Sequence, residues 1–500
     1  MKSRGAAACL AAIVSLPGIA LVQAAAAPKA GRLFERTDRE SREREAPLPV
    51  LLPLRAARGP ASRLLLPGDG SLVASTVFLA LSDLRRPADG PPALDQRQLS
   101  IIEQMADIGE VEGFHVVVAV PERDALSRAA LAGRKDLAVV AHGGADDLWL
   151  EDEGELDERG DALLPARLAD SSWLVRNVLR DRIQRMYPGA QLPVSLPELQ
   201  AALVKVYRSA NFHSVGRVEE LRKPLPVEAL ARARAGSVRV AASYFEGGNQ
   251  LIGRLATGAP YAVIGKDSVS ASRAVLEARL GRPVGEPEAL RTIAGDLRVS
   301  PDQLYPVEQP GAFHLDLSML PVGPKAVVLD DAEADARLIE RWLREDLALV
   351  SGGEAERRQL EAHVHRMWEA AHARAAAQQM TARDLRAAGF AVHRMAGNFR
   401  EAPRKMNLLN AFLATNPRGE RYAIVFGGDP RAEEYVADML LRVLPTELVR
   451  IHFLDERESI PSGSGGIRCR VRALGSQVAP LGPRASAVAA PSFARLSTGP

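Results

Sequence analysis

The 500-residue sequence is poor in cysteine, with Cys9 and Cys469 only. Two cysteines exclude a disulfide framework and a cysteine-rich zinc or iron–sulfur centre. Net charge is nearly absent too: 64 Lys and Arg against 62 Asp and Glu leave +2. That balance gives no basic surface for nucleic acid and no polybasic membrane patch. No G-x-x-x-x-G-K-[ST] phosphate loop occurs among the glycines. No Gly- or Pro-rich linker divides the middle of the chain. What is present is ordinary for a globular protein. With 47% hydrophobic and 25% charged residues, a collagen-like, disordered or coiled-coil protein is excluded. The length allows a large core.

The ends differ from the middle. Residues 1–27 read as a secretory signal: Lys2 and Arg4, an apolar stretch from Gly5 to Val22, and Val22-Gln23-Ala24 as a small-x-small cleavage pattern. Pro17 and Gly18 interrupt a stretch that is short for a membrane span. Cleavage there would remove Cys9 and leave Cys469 as the one thiol, in a periplasmic or extracellular protein without a membrane anchor. Residues 28–45 form a polar lead-in. The tail 475–500 is rich in Ala, Ser, Pro and Gly and is expected to be disordered.

Residues 46–474 read as one α/β domain. Short β-branched runs recur, among them His115–Val120, Leu137–Val140, Val238–Tyr244, Tyr261–Ile264, Ala326–Leu329, Tyr422–Phe426 and Val449–Phe453. Amphipathic helical patterns follow several of them, as at Ser270–Leu280 and Asp429–Leu444. Residues 330–388 are rich in Ala, Glu, Arg and Leu and predict a helical insertion or one long crossover, with Trp342 and Trp368 on its buried faces.

Four segments carry chemistry. The first is the acidic Asp147-Leu148-Trp149-Leu150-Glu151-Asp152-Glu153. The second is Tyr244-Phe245-Glu246-Gly247-Gly248-Asn249, a strand ending in Glu and two glycines that let backbone approach a ligand closely. The third is Phe313-His314-Leu315-Asp316, where a strand would aim His314 and Asp316 to one side. The fourth is Gly465-Gly466-Ile467-Arg468-Cys469-Arg470, a glycine turn leading to the thiol, with two arginines that could favour the thiolate. A thiol, an imidazole and several carboxylates are the parts of a covalent catalyst. The surplus of acids suits a cationic, planar guanidinium.

In this order the segments resemble the guanidine-modifying (pentein) superfamily, which includes arginine, agmatine and peptidylarginine deiminases. Trp149–Glu153 is similar to the Trp-x-x-Asp-Glu segment of the peptidylarginine deiminases. Phe245–Asn249 and the following Ala262-Val263-Ile264-Gly265 are more similar to the bacterial arginine and agmatine deiminases. Phe313–Asp316 and Gly465–Cys469 match the superfamily at large. The resemblance spans about residues 110–475. It implies a β/α propeller of five ββαβ-like units around a pseudo-fivefold axis. It also implies roles: Cys469 as nucleophile, Asp152 and Asp316 on the guanidinium nitrogens, His314 as general acid and base, and Glu246 orienting His314. From its own chemistry, Trp149 would either wall the substrate's alkyl chain, since an aromatic face suits a guanidinium, or pack in the core. Asp146, Asp147, Glu151 and Glu153 are close alternatives to Asp152. The sequence departs from the pattern at Arg468, where His commonly precedes the nucleophile, and at Val471, where Thr is frequent.

These features predict an exported deiminase that converts arginine residues of proteins or peptides to citrulline and ammonia. The alternatives are a hydrolase of free arginine or agmatine and a non-catalytic binding protein of the same fold. No cofactor or metal is required for the chemistry. Calcium at the acidic run Asp146–Asp161 lacks the glycine placement of an EF-hand, and a solvated face is expected instead. His363, His365 and His372 fall in the helical segment, with His363 and His365 on different faces, and His142 reads as structural.

Overall fold

A computed structural model describes residues 64–81, 96–143 (without 123, 132, 133 and 135), 150–166, 172–186, 226–311 (without 235), 314–349, 353–444, 448–455 and 466–475. The signal segment, the lead-in, Trp149, Phe313, Gly465 and the tail beyond Gly475 lie outside the described residues, as does the side chain of Asp152. No described helix is long and apolar enough to cross a membrane.

The strands form five small sheets that repeat one topology. The first holds β1 (Ala74–Ala80), β2 (His115–Pro121) and β3 (Leu137–His142), all parallel. The second holds β4 (Glu155–Leu156), β5 (Ala162–Leu164) and β6 (Val238–Val240); the third holds β7 (Gln250–Arg254), β8 (Pro260–Gly265) and β9 (Leu304–Val307). The fourth holds β10 (Met319–Gly323), β11 (Ala326–Asp330) and β12 (Ala391–Met395), and the fifth β13 (Phe412–Thr415), β14 (Arg421–Phe426) and β15 (Leu448–Leu454). In sheets two to five the first two strands are antiparallel and the third adds in parallel. The last strand, β16 (Val471–Gly475), completes the first sheet by pairing antiparallel with β1. The two ends of the described chain thus close one unit between them.

A parallel neighbour needs a crossover, and helices supply it. Helix Lys266–Leu280 with Glu286–Leu297 joins β8 to β9, and Pro430–Val443 joins β14 to β15. Asp429 caps the latter, its side chain accepting from Arg431 N at 2.9 Å ahead of Pro430 in the first turn. The segment expected as a helical insertion is the β11–β12 crossover, made of Ala332–Leu349 and the 34-residue Glu354–Ala387. Trp342 is buried there, whereas Trp368 is half-buried with its Nε1 donating to Glu340 at 2.8 Å. An indole with a polar handle favours that partly wet position.

The middle strands are buried on both faces. Along β8, Tyr261 and Val263 face one apolar cluster while Ala262 and Ile264 face the next. β14 divides likewise: Tyr422, Ile424 and Phe426 on one side, Ala423 and Val425 on the other. Period-two alternation makes each sheet a wall between two cores. Five clusters result, each shared by two successive units, and one joins the fifth unit back to the first through Tyr422, Ile424 and Val77.

Two expectations fail locally. The run Val238–Tyr244 is a strand only to Val240. Beyond it the buried Asp296 carboxylate takes Ser243 N at 2.9 Å and Ser243 Oγ at 2.7 Å, competing with the ladder. His314–Ser318 is a turn rather than a strand, closed by Ser318 N donating to Leu315 O at 3.0 Å.

Candidate active site

The segments between successive units meet at one place, and each contributes. Between β3 and β4 the short helix Leu150–Glu153 carries Glu151. Between β6 and β7, Glu246 precedes the 3-10 turn Gly247–Asn249 rather than ending a strand. Between β9 and β10 stand His314 and Asp316, between β12 and β13 Asn410, and between β15 and β16 the helical turn Ile467–Arg470 with Cys469.

Cys469 is buried, and its Sγ donates to Asp316 Oδ2 at 3.0 Å. Asn410 organises this contact. Its Nδ2 reaches Asp316 Oδ2 at 2.6 Å and Cys469 Sγ at 3.1 Å. Its Oδ1 accepts from Gly466 N at 2.9 Å and Cys469 N at 3.1 Å. One amide thereby fixes the turn and two reacting groups. His314 Nε2 lies 2.6 Å from Glu246 Oε2, and Glu246 Oε1 accepts from Tyr244 OH at 2.7 Å. Gly248 permits the arrangement, since a Cβ there would sit 2.5 Å from His314 Nδ1 and 2.9 Å from Asp316 Oδ1. The turn, not a strand, places His314 and Asp316 on one side.

Glu151 joins the site. Its Oε1 accepts from Arg468 Nε at 3.0 Å, while its Oε2 and Asp316 Oδ1 are buried and meet no donor among the described residues. Burial first, and then the charge of Glu151 together with a hydrogen bond shared with it, push the Asp316 pKa well above the usual carboxylate range, with His314 and Arg468 pulling the other way. Burial disfavours the Arg468 charge, and Glu151, Asp316 and Glu155 outweigh it, so its pKa is raised. Arg472 secures the acidic helix from beneath, its Nη2 donating to Glu151 O at 2.6 Å and its Nε to Gly154 O at 2.9 Å. Arg470 lies over the Phe426 ring at 5.2 Å.

The acidic run is not the solvated face expected. Glu151, Glu153, Glu155 and Asp157 are buried. Glu153 accepts from Val227 N at 3.1 Å, Glu155 from Gln250 Nε2 at 3.0 Å, and Asp157 from Arg298 Nη1 at 2.9 Å. Buried carboxylates need such donors. The histidines of the long helix scatter: His363 meets Glu401 O at 3.1 Å, His365 faces Glu369, and His372 faces Glu333. The group of described residues able to hold a metal ion is Glu151, Asp316 and Cys469, with one donor atom each mutually within 4.8 Å. Its thiol is a soft ligand and does not suit calcium.

Of the residues picked from the sequence, Cys469, His314, Glu246 and Asp316 converge. Asn410 was missed, because a lone Asn in Asn407-Leu408-Leu409-Asn410 carries no chemical signature. The one signal for it is topological: it fills the junction between the fourth and fifth units.

No protein-family profile matches the chain, and no curated protein does. Among solved structures, the agmatine deiminase of Enterococcus faecalis aligns at a TM-score of 0.46 and 12% identity, over 83% of this chain and 96% of its own. The agmatine deiminase of C. jejuni aligns at 0.43 and 12%, over 83% and 97%. DDAH from Pseudomonas aeruginosa, solved with citrulline, aligns at 0.32 and 11%, over 80% and 100%.

Proposed function

We propose that this chain hydrolyses a guanidinium to a ureido group and ammonia through a covalent intermediate on Cys469. One observation carries the reading. Two carboxylate oxygens, Glu151 Oε2 and Asp316 Oδ1, are buried beside a thiol and meet no donor among the described residues. Leaving two such acceptors unmet is costly. A guanidinium, with its fork of N–H donors and one positive charge, satisfies both.

The Cys469 thiolate attacks the guanidinium carbon, forming a C–S bond. The bond from that carbon to a terminal nitrogen breaks, and His314 gives a proton to the departing ammonia. Water then loses a proton to His314 and adds to the carbon. The C–S bond breaks as the new hydroxyl gives its proton to solvent, which restores the thiolate and leaves the neutral ureido product. Glu246, at 2.6 Å from His314 Nε2, orients the ring and supports its charge. Asn410 holds Sγ against Asp316, so attack starts from a fixed geometry.

The finer reading is an exported enzyme acting on arginine residues of proteins or peptides, with five units ringed about one axis. The five shared clusters support the ring. Residues 1–27 support export, and a protein outside the cytoplasm meets peptides. Calcium is a proposal without a ligand set of its own. In the test, purified protein is incubated with free arginine, agmatine and an arginine-containing protein, with and without calcium, and ureido product and ammonia are measured. Turnover of the protein substrate is expected. Turnover of free arginine or agmatine alone overturns the finer reading, and turnover of none overturns the whole.

A further inference from the structure

Arg468 stands where the sequence departs most clearly from the pattern it resembles, and its side chain is buried against the candidate site. Its Nε donates to Glu151 Oε1 at 3.0 Å and its Nη1 to Gly68 O at 3.2 Å. Gly68 is itself held by its N–H donating to Ile252 O at 2.8 Å, and a Cβ there would lie 2.9 Å from Arg468 Nη2. The guanidinium is thus clamped between a fixed carbonyl and one carboxylate oxygen. Arg472 Nη1 approaches the same oxygen, Glu151 Oε1, at 3.6 Å. Both cations gather on one side of the Glu151 carboxylate, and Oε2 is left unmet on the other.

We propose that Arg468 is a positioning residue for guanidinium capture: by taking Glu151 Oε1 it turns Oε2, together with Asp316 Oδ1, toward the substrate. This rests on the guanidinium reading of the site and adds to it a residue that never touches the reacting atoms. Among the described residues, the titratable and charged groups facing the two acids are Arg468 and Cys469 from the nucleophile turn, Arg472 from β16, Glu155 from β4 and His314 from its turn. Glu153 points instead to Val227, and Arg470 to Phe426. Among these, Arg468 is the cation that hydrogen-bonds the Glu151 carboxylate and also draws the Asp316 pKa down. Removing its charge therefore has two consequences. The Glu151 carboxylate loses its nearest cation and keeps only Arg472 at 3.6 Å, and the proton on Asp316 is held to a higher pH. A guanidinium must then displace that proton at greater cost.

The test uses the Cys469→Ser protein, which binds without turning over, titrated calorimetrically with free arginine, agmatine and an arginine-containing peptide from pH 5 to 9. Arg468→Gln in that background is expected to weaken binding at least tenfold at neutral pH and to move the acid limb of binding upward. Arg468→Lys keeps the charge and loses the two-point grip, so it should weaken binding while leaving the limb in place. A purely structural arginine would move neither. If Arg468→Gln binds as the Cys469→Ser protein does at every pH, the positioning role is wrong and the guanidinium reading survives. If the Cys469→Ser protein binds none of the three ligands, both are wrong. Should Arg468→Gln melt far below its parent, Arg468→Lys decides, and unchanged affinity there overturns the proposal.

Discussion

Two buried acids that each keep one oxygen without a donor among the described residues are a costly feature at the scale of single residues. Asp316 responds by holding its proton above the usual range. A carboxyl with a raised pKa in the folded state favours folding at low pH. That contribution is lost as pH climbs from its ordinary 3.8 through the raised value. Asp316→Asn removes the penalty along with the guanidinium's partner. It should cost at least about a thousandfold in kcat/KM yet melt at or above the parent at pH 7. The difference in Tm should shrink as pH falls toward 4, which thermal melts across that range check. Asn410→Ala removes the Oδ1 acceptor of the Gly466 and Cys469 N–H groups and the Nδ2 donor to Sγ. Its turnover should fall by roughly a hundred- to a thousandfold, the usual cost of losing one preorganised donor. Four of the converging side chains were legible because each sits in a motif. Glu151 was legible only as one of several neighbouring acids. In a helical turn each residue is rotated by about 100° from the last, so which acid faces inward depends on a phase the sequence does not mark.

The five junctions between units form the level of the elements. Each ends against the first strand of the next sheet, so short turns of unrelated sequence arrive at one point. The glycines of the second junction are the steric licence for this. A Cβ at Gly247 would lie 1.7 Å from Glu151 O, and one at Gly248 2.5 Å from His314 Nδ1. Gly248→Ala should therefore displace His314 and abolish turnover while the far-ultraviolet circular dichroism stays native. Full activity in that variant would mean His314 is not where the mechanism needs it. Most strands were visible as β-branched runs, because strands buried on both faces need continuous apolar sequence. The turns at Ser243 and at His314–Ser318 were not. Side-chain bonds such as Asp296 to Ser243 come from residues distant in sequence and override local preference.

Across the whole molecule, each of the five large described cores is shared by two units, so none of these is complete alone. The first unit depends on both ends of the described chain: β1 pairs with β16, and Val471 and Ala473 pack beside Val77 and Leu79. Ending the chain after Arg470 should expose the β1 edge and that core. Loss of the cooperative thermal transition is expected. A truncated protein that melts like its parent would show the closure to be dispensable. The mixed α/β class was evident in alternating patterns, whereas the fivefold repetition was not, since the crossovers range from one helix to two of unequal length. The cysteine count, first a mark of what the chain cannot build, ends as the centre of the account. Its central claim is that Cys469 forms a bond to a guanidinium carbon. Rapid-quench mass spectrometry of the parent protein mixed with an arginine-containing peptide and stopped with acid within the first turnover tests it most directly, because every turnover must then pass through a bond to Cys469. The expected result is a substrate-derived adduct, lacking one ammonia, on the peptide containing Cys469. Ureido product formed with Cys469 unmodified, and still formed by Cys469→Ala, would contradict it.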